Sequence, residues 1–147
     1  MRFLSTAIVI AILSLNSVYA SDLDSGSTAL AALQAKANQA QPRDRCFLYA
    51  ELVSQITDLA GKQFNSGDSE RASETLKLVQ QYAEMIHMEV ADDSKKLKDA
   101  ESLMQRTSFH LKSILSRASY EDRPVLEVTL KQLNEVQAQL MMQIFRK

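Results

Sequence analysis

From Ala72 the chain steps by four and three residues through Leu76, Val79, Ala83, Ile86, Val90, Asp93, Leu97, Ala100, Met104, Thr107, Leu111, Ile114 and Ala118 without a slip. Only Asp93 and Thr107 are polar in that series. A seven-residue repeat kept so long is the pattern of helix whose seam follows a partner helix. A shorter stripe, Cys46, Tyr49, Val53, Ile56 and Ala60 with Leu52 and Leu59 beside it, predicts a helix capped by Asp44 and running to about Asn65. Another, Leu126, Leu130, Leu133, Leu140 and Ile144, interrupted by Gln137, predicts a last helix with Asp122 as cap and Pro124 in its first turn. Upstream, residues 21–42 are Ala-rich and weakly anchored, by Leu23, Leu30 and Leu33, and read as a spacer or as a short helix over about Ser27–Ala40, stopped by Pro42.

Punctuation decides how these helices connect. Asn65-Ser66-Gly67-Asp68 reads as a helix stop with glycine beyond the end, followed by a new cap. Within the long series the one candidate break is Ala91-Asp92-Asp93-Ser94, which holds neither Gly nor Pro. A turn there would place Lys95, Lys96 and Lys98 at the positive end of a new helix dipole, whereas an unbroken helix makes Asp92 and Lys96 a favourable i,i+4 pair. The balance favours one helix from about 68 to 119, a rod of about 75 Å, with its neighbours folded back along it as antiparallel hairpins. The alternative is an up-down four-helix bundle. On either reading the fold is all-α, with residues 43–147 forming a single domain. Leu78, Tyr82 and Met85 form a second apolar stripe, away from the seam, that one neighbouring helix cannot cover. They are the candidate interaction surface, to be covered by the Ala-rich segment or by another subunit.

The N-terminus changes the picture of where the domain works. Met1-Arg2 carries a positive charge, Phe3–Leu15 is an apolar run, and Val18-Tyr19-Ala20 ends in small residues, the plan of a signal peptide cut after Ala20. The run is too short to cross a bilayer as an ordinary transmembrane helix. The expected address is therefore the periplasm or the extracellular space, with no stable membrane insertion after cleavage; the alternative is an uncleaved leader that tethers the chain by its own N-terminus. Arg2 goes with the leader, so the whole chain's net charge of −1 becomes −2. That near-balance offers no electrostatic attraction to nucleic acid. The three glycines and two prolines are too few to punctuate a sandwich or barrel, and leave little loop for an active site.

Candidate chemistry is sparse. Cys46 is the only cysteine, which excludes an intramolecular disulfide, and its place on the apolar stripe predicts an inert buried thiol. About the turn near Ser66-Gly67, Cys46 and His87 fall at the same level of an antiparallel hairpin, two of the three or four ligands a metal site requires, with Glu84 and Met88 nearby. His110 falls at the solvent edge of the seam. There is no C-x-x-C-H, no H-E-x-x-H and no pair of E-x-x-H motifs, and Met85, Met88, Met104, Met141 and Met142 read as flexible filler between helices. No G-x-S-x-G and no Gly-rich phosphate loop is present. Gly61 and the Gly67-Asp68 turn with Glu70 and Ala72 resemble part of a tetratricopeptide unit, a helix hairpin that binds protein; the likeness spans about a dozen residues, with no second copy, and carries over no functional residue. The expectation is an exported, non-catalytic helical protein without a cofactor, acting by self-association or by binding another protein. A metal- or haem-binding bundle is the alternative.

Overall fold

A computed structural model describes residues 19–146, with side chains from Gly26 onward. The expected leader lies outside the described residues except for Tyr19 and Ala20, which open the first helix. Five helices follow in order: α1 Tyr19–Gln39, α2 Pro42–Asn65, α3 Ser69–Glu89, α4 Leu97–Arg117 and α5 Arg123–Phe145. Among the described residues there is no strand.

The turns form for local reasons. Pro42 occupies the first turn of α2, where its missing N–H costs nothing, so that helix starts at Pro42 and Asp44 lies within its first turn rather than at its cap. Gly67 adopts φ +83°, the left-handed conformation that ends α2, and the Asp68 carboxylate accepts a hydrogen bond from the Arg71 N–H as the cap of α3. Asp122 stands at the start of α5, but its carboxylate accepts from Ser119 Oγ at 2.7 Å and from Ser69 Oγ at 3.0 Å, tying the two ends together.

The continuous rod over 68–119 is not observed: α3 stops at Glu89 and α4 starts at Leu97. Tertiary contacts outweigh the local preference for helix. Ser94 is buried, its hydroxyl accepting from Ala91 N–H at 3.0 Å and donating to the Glu89 carbonyl at 3.4 Å. Lys95 N–H donates to the Arg43 carbonyl at 2.8 Å and its ammonium lies 3.4 Å from Asp44, while the Lys96 ammonium sits 4.6 Å from the centre of the Phe47 ring. Two of the three lysines expected to oppose a new helix start, Lys95 and Lys96, are thus engaged by α2.

Folding back lets α3 and α4 bury their stripes in one core. Leu76, Val79, Ala83 and Ile86 of α3 meet Ala100, Met104, Leu111 and Ile114 of α4 there, with Leu52, Val53 and Ile56 from α2 and Leu126, Leu133, Val136 and Leu140 from α5. The winding differs from an up-down ring. The α2–α3 and α4–α5 hairpins lie side by side, with α2 against α4 and α3 against α5, so that α3 and α4 are diagonal. Both contacts between hairpins run parallel: Gln132 donates to the Gln80 carbonyl and Gln139 to the His87 carbonyl, each spanning 52 residues. Gln80 donates to Thr129, and Gln143 to Asp92, completing a row of amide bonds along α3 and α5.

Each bundle helix also buries one threonine. Thr57, Thr75, Thr107 and Thr129 donate to the carbonyl one turn earlier, from Val53, Arg71, Leu103 and Val125, at 2.7, 2.9, 2.8 and 2.7 Å. With the hydroxyl satisfied inside its own helix, the side chain packs much as valine would. This accounts for Thr107 as a polar residue on the seam. The Ala-rich segment is helix rather than spacer, begins earlier than Ser27, and packs on α2 through Leu30, Leu33 and Ala37.

Gly61 marks the closest approach of α2 to α4: a Cβ there would lie 3.0 Å from Ile114 Cδ1 and 3.5 Å from the His110 ring. We predict that Gly61→Leu lowers unfolding free energy by about 1–3 kcal/mol through overpacking. Gly26→Leu, where nothing lies within 4 Å, serves as the control and does not lower it in urea titration, since it replaces a helical glycine by a better helix former.

Candidate functional site

The chemistry-bearing residues are dispersed. Cys46 is fully buried, and its thiol is pushed up to about 12 from an ordinary 9.0, first by burial and then by the nearby Glu89 carboxylate. His87 is exposed and lines a groove of about 590 Å³ between α3 and α5, with Glu84, Glu135, Gln139 and Arg146. Their shared level in the hairpin does not give them a shared environment, because one lies in the core and the other on the solvent side of α3. No group of three or more His, Cys, Asp or Glu side chains among the described residues is placed to hold a metal ion. His110 instead bridges α4 to α2, with Nδ1 2.9 Å from Asp58 Oδ1. Met104 is fully buried, whereas Met88, Met141 and Met142 are exposed.

The stripe singled out for interaction is divided. Leu78 is 46% exposed. Tyr82 and Met85 are half-buried, packed against the core margin. Tyr82 meets Tyr49 of α2 with ring centres 6.0 Å apart and receives a hydrogen bond from Gln34 of α1. Burial raises both tyrosine hydroxyls above their ordinary range; Glu89 adds to this at Tyr49 and Tyr49 itself at Tyr82, while Arg45 and Gln34 respectively oppose it. Of the two coverings foreseen for this stripe, the Ala-rich helix is in place over Tyr82.

The opposite side of the bundle has no such cover among the described residues. Outside the α4–α5 hairpin, Phe109 is 64% exposed beside a groove of about 250 Å³ that it lines with Gln105, Ser108, Lys112, Leu130 and Asn134. The Ser108 hydroxyl is buried there without a hydrogen-bond partner. Farther along α5, Met141 is 43%, Met142 64% and Phe145 79% exposed. Periodicity passes over these positions because they lie off the core stripe. The available signal was a phenylalanine on the polar side of its helix, two residues after the seam position Thr107.

A third groove, of about 510 Å³, lies where the α1–α2 turn meets the start of α4, with Lys36, Asp44, Phe47, Glu51 and Lys96 in its wall. Its charges are of both signs; Asp44 is paired with Lys95, and Lys96 lies over the Phe47 ring. Among the described residues, no helix is long and apolar enough to cross a membrane.

The fold and surface define an all-helical bundle of two stacked hairpins, flanked by one further helix. No family model matches the chain, and no curated protein or solved structure does either.

The buried thiol has measurable consequences. Cys46 should react with a thiol reagent at pH 8 only as fast as the protein unfolds, and at once in denaturant. Between pH 9 and about 12 the unfolded thiol gives up its proton while the native thiol keeps it. The native state then binds more protons, so stability falls as pH rises through that window. Cys46→Ala should flatten this alkaline loss in a pH series of urea titrations, whatever its effect at neutral pH.

Proposed function

We propose that this is an exported, non-catalytic helical protein that acts by holding another protein against apolar helix surface. The carrying observation is the asymmetry of the bundle: α1 packs over one hairpin, while the outer face of the other presents Phe109, Met141 and Phe145 to solvent. Exposed apolar side chains of this size, gathered along one groove and its extension, are what a helix-in-groove partner requires. The unpartnered Ser108 hydroxyl adds a polar point that such a partner would satisfy. Export is supported by the sequence of the first twenty residues alone. The periplasmic metal- or haem-binding reading gains no support from a protonated, buried Cys46 and an exposed His87.

Two measurements test this proposal. N-terminal mass analysis of the protein from its native cell should find it outside the cytoplasm and starting at Ser21; a cytoplasmic chain starting at Met1 contradicts export. Affinity capture from the same compartment should recover a partner with the native protein, and Phe109→Glu with Met141→Glu should weaken that binding by tenfold or more while leaving thermal stability within about 0.5 kcal/mol. Unchanged capture by the double variant contradicts the assignment of this face.

A further inference from the structure

The loop Val90–Lys96 retains a property that two separate helices do not need. Helices joined by a turn are free to differ in phase, yet the seam runs Ile86, Val90, Asp93, Leu97 and Ala100 across the loop in unbroken steps of four and three. No Gly or Pro enforces the bend. The loop ends on Lys96 at φ 55°, the one non-glycine residue in the left-handed region among the described residues, a conformation that penalises any residue with a Cβ. Within one chain the bend allows the core to be buried; in the loop itself a small set of polar contacts favours the bent form: the two Ser94 bonds, Lys95 with Arg43 and Asp44, and Lys96 over Phe47. That bend alone brings the α2–α3 hairpin against the α4–α5 hairpin within one chain.

We propose that Val90–Lys96 is a hinge through which two copies of this chain exchange hairpins. In the exchanged pair the hinge becomes helical, α3 and α4 join into one rod, and the α2–α3 hairpin of each copy packs on the α4–α5 hairpin of the other. The α2–α4 and α3–α5 contacts are the same in both forms, so hinge energetics and protein concentration set the balance between them. Straightening releases the Lys96 backbone, pairs Asp92 with Lys96 at i,i+4 and places Val90 in the seam. Against it stand the Ser94 bonds, the Lys95 and Lys96 contacts with α2, the Gln143–Asp92 bond, and Asp93, whose carboxylate would occupy a seam position where the two antiparallel rods cross. The occupant is a second copy because only this sequence carries the complementary hairpin faces. The proposal goes beyond the groove reading and does not use Phe109 or Met141.

The test compares the native protein, Asp93→Leu with Ser94→Ala, and Lys96→Gly by light scattering after size exclusion. Each is first concentrated in partly unfolding urea and then diluted into buffer. The first variant should raise the dimer-to-monomer ratio about tenfold or more over native protein, and Lys96→Gly should lower it several-fold. A second readout separates exchange from ordinary surface association. Ser69 Oγ and Asp122 Oδ2 lie 3.0 Å apart across the two hairpins, so Ser69→Cys with Asp122→Cys takes a short bis-maleimide, Cys46 being shielded by burial. Applied to the isolated dimer, the reagent should join two chains, giving double mass on a denaturing gel. A dimer cross-linked only within each chain, or an unchanged ratio in both hinge variants, overturns the proposal. Should the Asp93 variant fail to fold, the cross-link on the native sequence and the response to Lys96→Gly decide it alone: no interchain product, or a ratio raised by glycine, overturns it.

Discussion

α3 and α4 each carry an apolar stripe that no single partner helix covers, and the fold-back at Val90–Lys96 disposes of both by turning them into one core. Everything else in the bundle follows from that bend. It sets α4 parallel to α2 and α5 parallel to α3, which brings Gly61 against Ile114 and aligns Gln80, Gln132 and Gln139 along the α3–α5 contact. The force behind it is burial of large aliphatic side chains, each contributing roughly 1.5–3 kcal/mol, against which a few local helical preferences count for little.

Stacking the hairpins side by side also determines which surfaces remain. A closed ring of helices with matched stripes would leave only polar faces. Here one outer face is covered by α1 and the other carries Phe109, Leu130 and the α5 residues beyond. The four buried threonines are satisfied within their own helices, whereas Ser108, at the edge of the open groove, is a buried hydroxyl without a partner among the described residues, and the side-chain oxygens of Gln63 and Gln139 are likewise unpartnered. Scaffold and interaction surface are thus two consequences of the same arrangement.

Much of the scaffold was legible in the sequence. The stripe Cys46, Tyr49, Val53, Ile56 and Ala60 is buried throughout, Gly67 and Asp68 make the stop and cap they signal, and every seam position from Ala72 to Ile86 and from Leu97 to Ile114 faces the core. The bend was not legible because its causes are long-range: Asp44, Arg43 and Phe47 engage Lys95 and Lys96 from another helix, and the intact heptad phase mimics a continuous rod. The site was less legible than the fold. Leu78, Tyr82 and Met85 form a true stripe, but α1 lies over part of it, and a pattern on one helix does not reveal that a distant segment will dock there. Phe109 escaped notice for the converse reason, since exposure of one aromatic acquires meaning only when Leu130 and Asn134 of the next helix are seen to form a groove beside it.

The central claim is that α3 and α4 lie antiparallel within one chain. Spin labels at exposed Glu74 of α3 and Ser113 of α4 address it directly, measured by pulsed dipolar spectroscopy on protein whose monomeric mass is verified by light scattering. The bundle predicts a main distance below about 40 Å, given neighbouring helix axes roughly 8–10 Å apart, α3 and α4 on the diagonal, and a label arm at each exposed site. A main distance near 60 Å in the monomer, the separation along a continuous helix at about 1.5 Å per residue, would contradict it.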